Sequence, residues 1–157
     1  MVEDKLAILP YYNDKQKLLK NIRKEDKEEL KAAARLLKTK SHIVVSRTLE
    51  KATENWSIFY DTELLGCAGV GKYPLDEQKG SVWLLSTNAV YKYPKSYLKA
   101  VKWLTKRALE VFPAGIYTVT DSKYKSALKL NELLGFKKLP NSVIIGGRES
   151  FVYFKEQ

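Results

Sequence analysis

The chain has 157 residues, a usual length for one compact domain, and we assign residues 1–157 to a single domain. Lys and Arg number 28 against 18 Asp and Glu, so the formal net charge is +10, which favours polyanionic partners such as nucleic acid or a phosphate-rich cofactor. One cysteine and one histidine argue against a disulfide framework and a metal site. Short apolar runs interrupted by lysines argue against a membrane protein.

The first third of the chain predicts helices. After the apolar segment LAIL, apolar residues recur at helical spacing over residues 14–37. Asn13 or Asp14 is a typical cap for a first helix, and Asp26 lies near the start of a second. We therefore expect two short helices with a break near residues 23–25.

From residue 41 the pattern becomes ambiguous and then changes to strands. In the segment 41–52, HIVV favours a strand, whereas Ile43 and Leu49 also fit a third helix. WSIFY and LLGCAGVGKY, separated by the turn DTE, predict a hairpin, and SVWLLS predicts a third strand after the loop PLDEQKG. These strands indicate an antiparallel meander, in which we expect Cys67 to be a small buried hydrophobic residue.

The remaining third alternates between helix and strand. A helix is predicted from near Lys95 to the region before Pro113, followed by the strand GIYTVT. A second helix spans residues 123–134 and ends at Gly135, and SVII, GG and ESFVYF predict a final strand pair. The order of elements indicates an α+β fold, in which one mixed, mostly antiparallel sheet carries helices on both faces.

The last helix carries a family pattern. Ala127, Leu130 and the pair Gly135 and Phe136 resemble the N-x-x-A-x-x-L-Y-x-x-x-G-F signature of the GNAT family, the Gcn5-related N-acetyltransferases. The resemblance covers residues 22–154 and implies the GNAT fold. It also implies acetyl-CoA as cofactor, with the Asn of the signature in contact with it and the Tyr protonating the departing thiolate.

Two departures from the family pattern bear on chemistry. Tyr124 stands at the Asn position of the signature, and Asn131 stands at the Tyr position. After SVWLLS, the segment TNAVYKYPKSYLKA has no glycine where the family uses glycines to bring backbone amides to a diphosphate, and a proline removes one donor. These departures predict a protein that binds no cofactor and has no catalytic residues.

A narrower likeness accounts for both departures. Arg23, Asp26 and Glu29 in one helix, the strand LLGCAGVG, the pattern G-x-x-W-x-L-S from Gly80 to Ser86, and the LGF helix end are similar to the GNAT-like internal virion proteins of short-tailed phages. That resemblance implies a non-catalytic virion or assembly protein in the virion or the host cytoplasm. Its partners are expected to be other virion proteins and DNA.

Two alternatives stay open. One is an acyl-CoA-dependent N-acetyltransferase with an atypical diphosphate site, and the other is a free nucleic-acid-binding protein. If acetyl-CoA binds, the cofactor residues are expected at the end of the central strand and in the two helices that follow: Leu85, Ser86, Tyr93, Ser96, Tyr124 and Asn131.

Several side chains have a structural interpretation beside a functional one. A stripe of lysines on one face of the long helix predicts a solvated surface, or a surface for nucleic acid or a protein partner: Lys92, Lys95, Lys99, Lys102 and Lys106. Asp121 is expected to cap the last helix rather than to catalyse. Among candidate proton carriers, no pattern singles out Tyr117, Tyr124 or the acids of the meander, which are Glu54, Asp61, Glu63 and Asp76.

Overall fold

The computed structural model describes the backbone of residues 1–157 and all side chains except that of Glu3. This backbone forms one nine-stranded sheet in the order β1-β2-β3-β4-β5-β6-β9-β7, with β8 paired to β9. The strands are β1 (Val2–Glu3), β2 (Leu6–Pro10), β3 (Glu54–Tyr60), β4 (Glu63–Tyr73), β5 (Asp76–Ser86), β6 (Ile116–Asp121), β7 (Lys137–Lys138), β8 (Val143–Ile145) and β9 (Arg148–Lys155). All neighbouring strands are antiparallel except β5 and β6, which confirms the α+β class.

Three helices cover one face of the sheet. They are α1 (Lys15–Asn21), α2 (Lys24–Leu36) and α3 (Ser41–Lys51), so the predicted break between the first two helices is confirmed and the ambiguous segment is a helix. Their apolar side chains form one core cluster with strand β4, in which Leu18, Val45 and Cys67 are almost fully buried. Burial raises the pKa of the Cys67 thiol to about 12, so this cysteine is an inert core residue.

The long helix packs on the opposite face. It is α4 (Pro94–Val111), and its buried residues Ala100, Val101 and Leu104 join a second core cluster with the inner strands. The last helix, α5 (Lys125–Leu133), packs its partly buried leucines against the same cluster. It ends before Gly135, whose φ of +89° is a conformation that favours glycine.

The parallel pair of strands opens into a gap. In the described backbone, β5 and β6 are in register at Gly80 with Ile116 and at Ser81 with Tyr117. Beyond those residues β5 continues to Ser86 and β6 continues to Asp121, but the two strands no longer pair with each other. Their carboxyl ends therefore diverge. In an open sheet, the crevice at the carboxyl ends of parallel strands is a common ligand site.

Some predicted boundaries are corrected. The segment PLDEQKG is not wholly a loop, because β5 already begins at Asp76, which pairs with Tyr73 at the end of β4. Asp121 does not cap α5: the N-cap is Tyr124, and the Asp121 carboxylate instead accepts the Lys123 N–H at 2.9 Å in the turn before it. Strands β1 and β7 and a 3₁₀ helix (Asn88–Tyr91) were not predicted.

Two absences apply to the described residues. None of their helices is both long and apolar enough to cross a membrane. Their His, Cys, Asp and Glu side chains do not form a group of three that could hold a metal ion.

Candidate functional site

The gap between β5 and β6 is the mouth of a cleft of about 400 Å³. A cavity of this size is within the range of small-molecule sites in proteins. Five elements line it. The start of α2 contributes Arg23 (the residue before the helix), Asp26, Glu29 and Leu30, β5 contributes residues 82–85, and the start of α4 contributes Pro94, Tyr97 and Leu98. Strand β6 contributes residues 118–120, and α5 with its N-cap contributes Tyr124, Ser126, Ala127, Leu130 and Asn131.

Helix α2 is fixed to the end of β5 by two reciprocal bonds. The Arg23 N–H donates to the Ser86 carbonyl at 2.9 Å, and the Ser86 N–H donates to Asp26 Oδ2 at 2.7 Å. Asp26 also accepts from Arg23 Nε at 3.3 Å. Because Asp26 is only 3% exposed, burial raises the pKa of its carboxyl despite the Arg23 guanidinium.

The same helix reaches the end of β6 one turn later. Glu29 Oε2 accepts the Asp121 backbone N–H at 3.1 Å. The Ser86 and Asp121 amides lie where β5 and β6 no longer pair with each other, so the carboxylates of Asp26 and Glu29 take the place of the missing strand acceptors. Burial, reinforced by the carboxylates of Asp26 and Asp121, raises the pKa of Glu29 to about 7. A carboxyl group with this pKa exchanges its proton at neutral pH and can act as a general base.

One backbone amide of β5 faces the cleft. The N–H groups of alternate residues along a strand point to the same side. On the β6 side of β5, the Gly80 N–H donates to the Gly115 carbonyl at 3.0 Å, and the Ser86 N–H donates to Asp26. Leu84 lies an even number of positions from Gly80 and Ser86, so its N–H points to the same side of β5. At Leu84, β6 no longer pairs with β5, so this N–H is directed into the cleft.

The segment between β5 and α4 has no glycine but leaves donors beside the cleft, next to Pro94 and Tyr97, which line it. Its first part folds into the 3₁₀ helix, capped by the Thr87 hydroxyl. Helix α4 then begins at Pro94, where the missing N–H costs no hydrogen bond. The Lys95 and Ser96 N–H groups, in the first turn, have no acceptor within the helix. An 18-residue helix also presents a partial positive charge at this end.

Tyr97 and Tyr124 line the cleft from opposite helices. The Tyr97 hydroxyl is hydrogen-bonded to Ser86 Oγ at 2.7 Å. Tyr124 is 5% exposed, and its hydroxyl is a buried polar atom without a hydrogen-bond partner among the described side chains. Burial and the nearby Asp26 carboxylate raise the pKa of Tyr124, so its phenol stays protonated. An unsatisfied buried hydroxyl in a cleft is a donor available to a bound molecule.

The predicted cofactor residues divide into two groups. Leu85, Tyr124 and Asn131 line the cleft, and Ser86 lies directly behind it through its bonds to Asp26 and Tyr97. The lining that the structure describes does not include the other two predicted residues, Tyr93 and Ser96.

Tyr93 and Asn131 both have protein partners. The Tyr93 hydroxyl donates to Glu63 at 2.9 Å, and its ring stacks on Tyr60 with the centroids 4.0 Å apart. Asn131, at the tyrosine position of the family signature, donates from Nδ2 to Thr120 Oγ1 at 2.9 Å. An amide has no acidic proton to give, so Asn131 cannot replace the tyrosine as an acid.

Arg23 and Glu29 were not predicted as site residues. Both lie at the cleft because α2 bridges the two strand ends, a contact between segments about 60 to 90 residues apart in sequence. The available signal was their spacing: Arg23, Asp26 and Glu29 recur every three residues, which places three charged side chains on one helical face.

The remaining candidates lie away from the cleft. On α4, Lys95, Lys99, Lys102 and Lys106 are exposed, and Lys92 pairs with Glu63 at 3.1 Å. Among the acids of the meander, Glu54 binds Arg107 and Asp76 binds Lys79. Tyr117 stacks between Tyr73 and Phe154. The role of the lysine stripe stays a prediction.

Comparison with solved structures gives the fold a name. No protein-family model matches the chain, and no curated protein matches it by sequence. An acetyltransferase of Bacillus subtilis in complex with CoA is similar over 98% of this chain and 99% of its own, with a TM-score of 0.69 and 15% identity.

Two further structures are similar to the same extent. A spermidine N-acetyltransferase of Vibrio cholerae in complex with CoA and spermine covers 96% of this chain and 95% of its own, with a TM-score of 0.69 and 10% identity. The ribosomal-protein-S5-alanine acetyltransferase of Vibrio fischeri covers 99% and 95%, with a TM-score of 0.66 and 13% identity. At these identities the likeness establishes the fold, which is that of the GNAT acetyltransferases.

These findings correct two expectations from the sequence. The expectation of a non-catalytic virion protein is wrong, because the similar structures are acetyltransferases; the likeness to phage internal virion proteins has no support from them. The expectation of no cofactor is also wrong, since two of these structures hold CoA. The expectation treated glycine as indispensable, although the first turn of α4 has amides without an acceptor in the helix, beside the residues that line the cleft.

Proposed function

We propose that the chain is an acyl-CoA-dependent N-acyltransferase that uses acetyl-CoA as the acyl donor. The observation that carries the proposal is the open cleft between β5 and β6, which is bordered by the amino terminus of α4 and contains Glu29 with its pKa near 7. The same fold in proteins crystallised with CoA supports this function.

The residues of the cleft fit the cofactor. The Tyr124 hydroxyl lacks a partner, the Leu84 N–H is directed into the cleft, and the Lys95 and Ser96 amides are open at the helix terminus. Phosphates commonly bind at such helix termini, because backbone N–H groups and the helix dipole both favour an anion. Donors therefore lie within the cleft along β5 and beside it at the start of α4.

Each residue then has a defined task in the transfer. Acetyl-CoA would supply a thioester: the unprotonated amine of the acceptor forms a bond to its carbonyl carbon, the C–S bond breaks, and CoA leaves as a thiolate that takes a proton from water. Glu29 accepts the proton that the amine loses, and the Leu84 N–H donates to the carbonyl oxygen as negative charge develops on it. Tyr124 donates a hydrogen bond within the cleft. The hydrophobic walls around Leu84 and Leu130 limit access of water.

A binding experiment with matched variants tests the proposal. Acetyl-CoA is titrated into the purified protein by calorimetry, and micromolar binding is expected. Ala127→Phe places a ring in the cleft and should abolish binding. Leu133, on the same helix, is 63% exposed, so Leu133→Phe should leave binding unchanged. Absence of binding at millimolar acetyl-CoA, or equal binding by both variants, contradicts the proposal.

A turnover experiment addresses the acceptor. Release of free CoA thiol is followed with a panel of primary amines that includes a polyamine, an N-terminal alanine peptide and a lysine peptide. An amine-dependent rate above that of hydrolysis supports N-acyl transfer. Binding of acetyl-CoA without transfer to any amine of the panel leaves a CoA-binding protein and rejects the acyltransferase as proposed.

A further inference from the structure

Arg23 is a cation held inside the proposed cofactor cleft. It lies in the connection between α1 and α2. Two backbone contacts fix this connection to the carboxyl end of β5: the Arg23 backbone N–H donates to the Ser86 carbonyl, and Ile22 forms a β-bridge with Thr87. Its side chain is 12% exposed and lines the cleft. Burying a guanidinium is unfavourable unless a partner is present, so the groups around Arg23 indicate which partner it binds.

The protein satisfies only part of the guanidinium. Asp26 accepts from Nε, and that same oxygen also accepts the Ser86 N–H. The guanidinium carbon lies 5.7 Å from the centre of the Tyr97 ring and 5.4 Å from that of Tyr124. Burial alone would lower the pKa of Arg23, but Asp26 raises it, so the side chain is charged. A guanidinium has five N–H donors; Asp26 accepts the one on Nε, and the charged group also interacts with the Tyr97 hydroxyl.

The carboxylates of Asp26 and Glu29 line the same cleft as Arg23, but two helix amino termini near it favour an anion as a further partner. The two tyrosines belong to the first turn of α4 and to the N-cap of α5, so both helices direct their positive ends toward this region. Lys95 and Lys125 are exposed in the first turns of the same helices. Arg23 thus lies where a glycine-free segment follows β5.

The geometry points to Arg23 as a ligand of the CoA diphosphate, supplied from α2 in place of the glycine loop of the family pattern. This inference rests on the proposed function. Arginine forms paired, charge-assisted hydrogen bonds with phosphate oxygens, so it can add to the contacts that backbone amides make. The ring faces of Tyr97 and Tyr124 hold the guanidinium in one orientation before the cofactor arrives.

The test compares ligands that differ in phosphate content. CoA, dephospho-CoA, which keeps the diphosphate, and pantetheine, which has no phosphate, are titrated into wild type and Arg23→Gln by calorimetry. We expect Arg23→Gln to lose about tenfold or more in affinity for CoA and dephospho-CoA alike, and to bind pantetheine as wild type does. Lys24→Gln, an exposed neighbour that lies outside the cleft lining, is the matched control and should leave all three affinities unchanged.

The outcomes separate this inference from the proposed function. If wild type binds CoA and Arg23→Gln binds it equally, or if pantetheine weakens to the same extent, Arg23 is not a diphosphate ligand although the proposed function stands. A loss for CoA but not for dephospho-CoA assigns Arg23 to the 3′-phosphate and also overturns the inference. If wild type binds neither CoA nor dephospho-CoA, both proposals fail.

A second variant covers the possibility of misfolding. Arg23→Gln leaves the buried Asp26 carboxylate without its counter-ion, which can unfold a protein. The double variant Arg23→Gln with Asp26→Asn removes both charges and keeps the acceptor for the Ser86 N–H. It should show the same selective loss of diphosphate affinity. Retention of CoA affinity in the folded double variant contradicts the inference.

Discussion

Replacement of Glu29 by Gln should stabilise the protein while removing its activity. Glu29 has a pKa of about 7 in the folded chain against an ordinary value of 4.5, so the folded state favours the protonated carboxyl. Stability from this group is fully present below pH 4.5 and is lost as the pH rises through 7. At about 1.4 kcal/mol per pKa unit, ionised Glu29 costs up to about 3 kcal/mol at pH 8.

The glutamine variant removes that cost and keeps an oxygen that can accept the Asp121 N–H. Urea denaturation at pH 5.0 and pH 8.5 measures the effect. We expect Glu29→Gln to unfold at higher urea than wild type at pH 8.5 by about 2 to 3 kcal/mol, and the difference to shrink toward pH 5. Glu25→Gln, an exposed change in the first turn of α2, is the control and should not unfold at higher urea than wild type, because a negative charge near a helix amino terminus is favourable.

The same variant tests the catalytic role. Removal of a general base typically lowers a rate by about 10² to 10⁴. The wild-type rate at low acetyl-CoA should rise with an inflection near pH 7, and Glu29→Gln should be slow and lack that inflection. Suppose that Glu29→Gln is as active as wild type and no more stable at pH 8.5. Then ionised Glu29 does not destabilise the fold and is not the general base.

Three further predictions concern other residues. Tyr124→Phe should leave the free energy of unfolding unchanged or raise it by up to about 1 kcal/mol, because the hydroxyl has no hydrogen-bond partner. The same variant should bind acetyl-CoA more weakly in calorimetry, and a clear loss of stability would contradict the prediction. Gly135→Ala should cost about 1 to 2 kcal/mol in urea denaturation, since φ is +89° there, and an unchanged midpoint would contradict it. Replacing four exposed lysines of α4 by Gln should reduce salt-dependent retention of duplex DNA, and unchanged or salt-independent retention rejects that surface: Lys95, Lys99, Lys102 and Lys106.

The sequence predicted the elements well where apolar periodicity was strong. Strands β3 and β4 and helices α2 and α4 follow directly from alternation or helical spacing. The segment 41–52 was ambiguous because HIVV has high strand propensity. Tertiary packing decides it, since Val44 and Val45 bury against the core beside Leu18 only as neighbours on a helix.

Weak signals explain the missed elements. The first half of β5 carries exposed polar residues and looks like a loop in sequence, yet its backbone pairs with β4. Strands β1 and β7 have two residues each, too short for any period to appear. Short edge strands are set by the neighbouring chain rather than by their own composition.

The candidate site was only partly predictable. Leu85, Tyr124 and Asn131 were placed at the cleft by their position in the family pattern, and they line it. Arg23 and Glu29 could not be placed, because their role depends on how α2 spans the diverging ends of β5 and β6. The raised pKa of Glu29 results from burial in the folded chain and leaves no mark in the sequence.

If acetyl-CoA binds between the diverging ends of β5 and β6, it should protect the amides that border the cleft. Amide hydrogen exchange with and without acetyl-CoA measures this protection at individual backbone N–H groups. We expect slower exchange at Leu84, Lys95 and Ser96 in the presence of acetyl-CoA, and no change in α3, which does not line the cleft. Unchanged exchange at all three amides under saturating acetyl-CoA would contradict it.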